Sequence, residues 1–543
     1  MSVEFEFVLL EDGRASIIGC PNTGGQMTIP SVLTSDDGSE VKVHSIGESA
    51  FVNDGGIESV IVSEGIEVIE DFAFHGCNNL RSVTLPSTLK RMEDMVFDNC
   101  VSLEEVSLPD GLEHLGQSSF SGCVNLRSIV LGNRLTSINK FLFFGCESLE
   151  GISIPDGVRD IRDHAFAGCS SLEYVIVPDM VHTIERMAFA RCFSLKGIHL
   201  GRNIRTIGGD AFDSCSELAS ITLPESLMNI GGNAFKDCSS LRMVVIPDSV
   251  VGMGDEAFFR CTNLKGIVIG RGLTHMGKLP FKGCTSLELF DVSEDNKSFA
   301  TVDGILYDKG METLLDCPSA MKGEVIVPDG VCVIGDHAFS YCSGITSLIL
   351  PESLESIEDF AFHGCESLSE LIIPEGVDSI GNMAFSLCSS LKEMYIPDMV
   401  MSIGSAPFSG CSSLEYISVG AGNGDYISIN GVLFTRDMRS MIRYPSMKSG
   451  KEYVIPDGVE SIDRTAFMKC KELEVITVPE TVTFVDKFGF AGSKCLKRIV
   501  FLGSNPELYV EPSALSFLSE GVVFERDGKE YDTFESLMDA MGS

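Results

Sequence analysis

The chain is 543 residues long and 44% hydrophobic, and it carries 78 acidic against 40 basic side chains for a net charge of −38. So acidic a surface repels nucleic acid and anionic lipid, and neither is expected as a partner. No apolar run reaches the roughly 18 residues of a membrane helix, so no membrane insertion is expected.

The first segment, MSVEFEFVLLEDGR, has no basic n-region and holds Glu4 and Glu6 inside its apolar stretch. It predicts a strand with Val3, Phe5, Phe7 and Leu9 on one face rather than a secretory leader, which favours the cytoplasm. Residues 1–42 are expected to form an N-terminal cap, a strand pair followed by a degenerate repeat around 27–30.

From residue 43 a 23-residue period takes over. Phe stands at Phe51, Phe74, Phe97, Phe120, Phe143, Phe166, Phe189, Phe212, Phe235, Phe258 and Phe281, then at Phe339, Phe362, Phe385 and Phe408, then at Phe467 and Phe490. A cysteine follows three residues later in all but the outermost units, where Asp54 and Ser493 take its place. Residues 77–100 show the logic of one unit. Val83 and Leu85 alternate with Ser82 and Thr84 as in a half-buried strand, and Pro86 ends the strand by removing a donor. Leu89 and Met92 supply a second apolar pair, and MEDMVFDNC suits one short helical or 3₁₀ turn. Repetition of about 17 such units predicts a mainly β repeat solenoid, with a parallel sheet on one face and short strands and short helical or 3₁₀ turns opposite. Blocks at 43–288, 324–415 and 452–503 would form this coil.

The 19 cysteines would be free and buried, because side chains stacked in one column point the same way and a disulfide needs opposed ones. That reading also fits a reducing compartment. Insertions at 289–323 and 416–451 interrupt the period. Each holds an Asn (Asn296, Asn423) and an aromatic residue (Phe299, Tyr426), then two apolar strands, 305–307 with 313–316 and 432–434 with 441–444. Each reads as a β-hairpin projecting from the edge of the coil, serving either as a binding loop or as a brace. Every third unit is basic at its strand, placing Arg127, Lys196 and Lys265, with Arg134, Arg202 and Arg271, in recurring positions. Duplication of a three-unit block or a row of anion contacts would account for it. Residues 504–543 form the C-terminal cap, in which Asp532 and Glu535 make a capping box for a helix bearing Phe534, Leu537, Met538 and Met541.

The unit pattern C-x-x-L-x-x-I-x-I-P-x-x-[LV]-x-x-I-x-x-x-A-F-x-x-C resembles the BspA-like subclass of leucine-rich repeats. Cys169 to Cys192 carries it well, through Leu172, Val175, Val177, Pro178, Val181, Ile184, Ala188 and Phe189. The resemblance spans about 43–503. It implies a non-enzymatic, adhesin-like or host-interaction protein of bacteria, some archaea or parasitic protists, and so allows a cell-surface or exported location.

No catalytic, cofactor or metal motif stands out. Asp110, Asp156, Asp179, Asp248, Asp329, Asp398 and Asp457 follow the strand-ending Pro and are assigned to turn chemistry rather than to calcium. What remains is the outward column of the strands, uncharged along most of its length on a strongly acidic chain. Tyr174, Ile176, His199, Met243, Val245, Ile349, Ile372, Tyr395 and Tyr416 are the candidate contacts for a protein or glycan partner. A passive spacer is the alternative, and a monomer is expected.

Overall fold

The computed structural model describes residues 4–21, 23–503, 505 and 507–542. Val3 and the side chain of Met541 lie outside them. The chain forms a β-solenoid of about 21 turns of about 23 residues, in two compact bodies. One comprises Met1–Ser286 with Asp291–Ser298, the other Leu287–Phe290 with Phe299–Ser543. Phe spacing counts fewer turns because several coils lack the Phe, such as the one built on Tyr444.

One coil of the first body explains the rest. Strand Tyr174–Ile176 turns Val175 inward at 2% exposure and its two neighbours outward. It pairs in parallel with Gly151–Ser153 and Gly197–His199, each residue opposite its equivalent one period away. Pro178 closes this side: its carbonyl accepts from the Val181 N–H, turning the chain to the short strand Thr183–Ile184. That strand joins a second parallel ladder with Asp160–Ile161 and Thr206–Ile207.

The expected short turns follow, in a particular form. The Cys192 N–H bonds back to the Phe189 carbonyl as in a 3₁₀ helix, but Met187 (φ 55°) and Arg191 (φ 60°) are left-handed. Left-handed residues flanking the Phe turn alternate N–H groups toward the next coil. Those of Met187, Phe189 and Arg191 donate to Gly209, Ala211 and Asp213. The turn face is therefore laddered like a sheet, and these backbone donors are satisfied by the neighbouring coil.

Between the faces lie two columns. In the first body the rings from Phe51 to Phe281 stack at centroid spacings of 5.1 to 5.9 Å. In the second, Phe339–Phe362–Phe385–Phe408 and Tyr444–Phe467–Phe490 do the same. Beside the rings, most column cysteines donate their S–H to the Phe carbonyl of the preceding coil, as Cys169 does to Phe143 and Cys192 to Phe166, both at 3.2 Å, whereas Cys342 turns to the Cys317 carbonyl. Where Ser493 replaces cysteine, its hydroxyl makes the same bond to Phe467 at 2.6 Å. The column thus supplies a small donor as well as apolar filling. All 19 cysteines are free, and burial pushes the Cys169 and Cys238 thiols upward in pKa.

Three expectations need correction. The insertions do not project. Phe299–Val302, Ile305–Asp308 and Thr313–Asp316 form an antiparallel meander whose last strand runs parallel to Val333–Ile334. Tyr426–Ile429, Val432–Thr435 and Ser440–Arg443 repeat the arrangement onto Ser461–Ile462. Ile305, Leu306, Tyr307, Val432, Leu433 and Phe434 are buried. Strands apolar at consecutive positions need cover on both faces, which a projecting hairpin lacks. The C-terminal helix Phe534–Gly542 is capped one residue later than expected, by Thr533 Oγ1 accepting from the Ser536 N–H at 3.1 Å. In the N-terminal strand Glu6–Leu9, Leu9 is 62% exposed rather than turned inward, while Phe5 and Phe7 are half-buried.

Candidate functional site

Because every coil contributes one short strand, the sheet face presents its side chains in rows along the coil axis. In the first body the row holds Val130, Tyr174 and Ile176, His199, then Met243 and Val245, all exposed. Ile176 stands directly opposite His199 in the ladder, and Tyr174 opposite Gly197. A Cβ added at Gly197 would lie 3.5 Å from the Tyr174 ring, so this glycine leaves the ring a flat seat. Tyr174, Ile176, Met243 and Val245 are each more than half exposed.

In the second body Ile349 and Ile372 are exposed, the latter at 80%, the highest of any large apolar side chain among the described residues. Tyr395 is half-buried, and its hydroxyl donates to Glu375 at 3.1 Å. Burial and that carboxylate both raise the phenol's pKa. Tyr416 is 45% exposed, and the tip of the second hairpin lies against it. There Asn430 and Gly431 are both left-handed, as a tight hairpin turn requires. The Gly431 carbonyl accepts from the Ile417 N–H at 3.1 Å, and a side chain at Gly431 would collide with the Tyr416 ring. The tip therefore takes the place of the next sheet strand, and a fresh sheet starts at Glu452–Val454.

Sequence reasoning missed two members of these rows. Ile326, 60% exposed, pairs with Ile349, and Val454, 64% exposed, pairs with Thr477. Both sit one period before a residue of the column, a signal hidden by counting coils from Phe.

The other candidate features are occupied within the coil itself. Arg202 and Arg271 pair with Asp179 and Asp248 one period earlier, Lys196 with Glu173, and Arg134 with Glu113. The carboxylates of Asp179 and Asp248 also accept the backbone N–H of those same arginines at 2.9 Å. These four charges stitch neighbouring coils. Among the described residues no three His, Cys, Asp or Glu side chains gather as a metal would need, and no helix is long and apolar enough to cross a membrane.

The BspA type leucine-rich repeat region model matches residues 44–173, 159–288, 319–434 and 445–514. A leucine-rich repeat protein from Bacteroides ovatus is 27% identical, with 77% of this chain and 93% of that one covered and a TM-score of 0.52. One from Eubacterium ventriosum is 17% identical over 98% of each chain, with a TM-score of 0.38. A leucine-rich cell surface protein from Faecalibacterium prausnitzii is 18% identical over 97% of this chain and 93% of that one, with a TM-score of 0.24. No curated protein matches the sequence. The 23-residue coil, its Phe and Cys columns and the matched regions place this chain in the family of BspA-type leucine-rich repeat proteins.

Proposed function

We propose that the chain is a non-enzymatic interaction scaffold that recognises a protein or glycan through the sheet faces of its two bodies. One observation carries this reading: on a chain of net charge −38, the sheet rows expose Tyr174, Ile176, Met243, Val245, Ile349 and Ile372, interspersed with a few acids such as Glu105, Asp291 and Glu393. Leaving Tyr174, Ile176, Met243, Val245 and Ile372 in water gives up burial worth about 25 cal/mol per Å² of apolar surface, which a partner recovers on docking. Aromatic members give large contact area at small entropic cost, so Tyr174 and Tyr416 are the expected anchors, flanked by His199 and Tyr395. A passive spacer has no need of such a row.

Capture from the extract of the source cell, or on a glycan array, with the intact chain as bait tests the proposal. Retention of a partner that is lost on changing Tyr174 and Ile176 to Ser supports it. A chain that retains nothing specific in either format returns the spacer reading.

A further inference from the structure

A regular coil takes five residues from its short strand to its core aromatic, as from Ile462 to Phe467, and this stretch builds the ridge of the turn face. The coil carrying Tyr444 takes three, from Met441 to Tyr444: Met441 lies opposite Ile462 in the ladder, and Tyr444 stacks on Phe467 at 5.4 Å. Two residues of ridge are absent, and the turn face of the second body is notched at that coil.

Arg443 lies beneath the notch at 1% exposure. Its guanidinium donates to the Thr465 carbonyl and to Ser446 Oγ, both at 2.6 Å, and to the Met468 carbonyl at 3.4 Å. These bonds satisfy carbonyls facing the shortened coil, but among the described residues Nε has no partner and none of the guanidinium's bonds goes to a carboxylate. A buried positive charge without an anion is costly and draws negative charge toward it.

Above it opens a cleft of about 1000 Å³. Met383, Met468, Phe488, Ala491 and Phe517 make its walls apolar, and Phe517 stands 79% exposed at its edge. Four cations also line it, Arg464, Lys469, Lys471 and Lys494, with no Asp or Glu among the lining residues. None of the four is ion-paired among the described residues, and Arg464 Nε is buried without a hydrogen-bond partner. This contrasts with Arg134, Lys196, Arg202 and Arg271, each held by an acid of an adjoining coil. On a chain with roughly two acids per base, such a gathering leaves the anion to be brought by a ligand.

We propose that this cleft binds a single-chain anionic amphiphile, an acyl chain bearing a carboxylate or phosphate head. The chain lies along Met383, Met468, Phe488 and Phe517, and the head sits among Arg464, Lys469, Lys471 and Lys494 above Arg443. The volume falls within the range of small-molecule sites, and the acidic remainder of the chain opposes a large polyanion. The cleft lies on the turn face, so the proposal stands independently of the sheet-face reading.

The test is calorimetric titration of the intact protein with dodecanoate and with dodecyl phosphate, each below its micelle concentration. Dodecyltrimethylammonium, acetate and inorganic phosphate serve as controls, and the two anionic amphiphiles separate a preference for either head. Lys469, Lys471 and Phe517 are exposed, so Lys469→Gln with Lys471→Gln, and separately Phe517→Ser, should fold as the parent does, checked by circular dichroism. Saturable binding of an anionic amphiphile is expected, weakened by about tenfold in the double lysine variant. It should weaken also in Phe517→Ser and stay unchanged in Lys42→Gln, a charge control in the first body. Equal affinity for the cationic amphiphile, an unaltered affinity in the lysine variant, or full displacement by a glutamate-rich peptide would each overturn the assignment.

Discussion

Replacing Phe212 with Ala tests the stacked column where it is most enclosed. The ring is fully buried between Phe189, at 5.4 Å and 1°, and Phe235, at 5.2 Å and 5°. Removing it takes away about 150 Å² of buried apolar surface, a transfer loss of about 4 kcal/mol at 25 cal/mol per Å². Each stacked neighbour adds up to about 1 kcal/mol, and a column held from both sides collapses poorly, so about 4–6 kcal/mol is expected in all. Phe51 gives the internal comparison, since it ends the column and stacks on Phe74 alone at 5.2 Å and 13°. Its truncation should cost about 1 kcal/mol less, the value of the missing neighbour. Because solenoids open locally, native-state hydrogen exchange is the suitable assay, with the loss of protection confined to coils beside residue 212. A cost below about 1 kcal/mol, or equal costs at Phe51 and Phe212, would refute the stacked-column account.

Other outcomes follow from the same geometry. Column thiols should resist alkylation until the chain unfolds, whereas exposed Cys495 should label in the native protein; early modification of Cys169 would contradict its burial. Cys169→Ser keeps the donor to Phe143 and should cost about 1 kcal/mol less than Cys169→Ala in chemical denaturation; equal costs would show the S–H bond to be idle. Gly201→Ala drives a methyl into the Pro178 carbonyl, while Gly168→Ala meets only Gly145 at 3.5 Å and bears the left-handed penalty of about 1 kcal/mol. The first should lower the melting temperature more, and the reverse order would argue against the close coil approach at Pro178. Asp316 is pushed up to about 8 by burial, opposed by the Cys317 N–H. Its folded pKa exceeds the unfolded value, so the native state holds the extra proton and stability falls as pH rises from about 4 toward 8. Asp316→Asn should therefore raise the melting temperature at pH 8 and leave it unchanged near pH 3; a gain equal at both would rule out titration as its source.

The coil was legible because one period governs both ladders. Val83 and Val175 point inward and Thr84 and Ile176 outward on alternation alone. What escaped was whatever depends on contact between coils. The cysteine column reads as apolar filling until the Phe143 carbonyl is seen 3.2 Å from Cys169 Sγ. Hairpin position was misjudged at Leu306 and Leu433, since sequence shows a hairpin's strands and turn but not what covers them. The cations of the super-period were recognised as a row, but their acids, Asp179 and Asp248, sit one period away and become partners only on coiling. The cleft near Tyr444 had a faint signal: the inserted coil is 21 residues, Ser440 to Ser461, instead of 23. Its floor, Arg443, is a charged residue whose burial no local pattern announces.

The most direct measurement compares the two faces of the solenoid with one captured partner. Tyr174, His199, Tyr395 and Tyr416 are changed to Ser on the sheet faces, and Asp237 and Glu366 are changed to Lys on the turn faces. Affinity is then measured by surface plasmon resonance on chains whose circular dichroism matches the parent. The account predicts a loss of at least about tenfold for the sheet-face set, larger at Tyr174 than at half-buried Tyr395, with the turn-face set unchanged. Unaltered binding in the sheet-face set, with loss in the turn-face set, would contradict it.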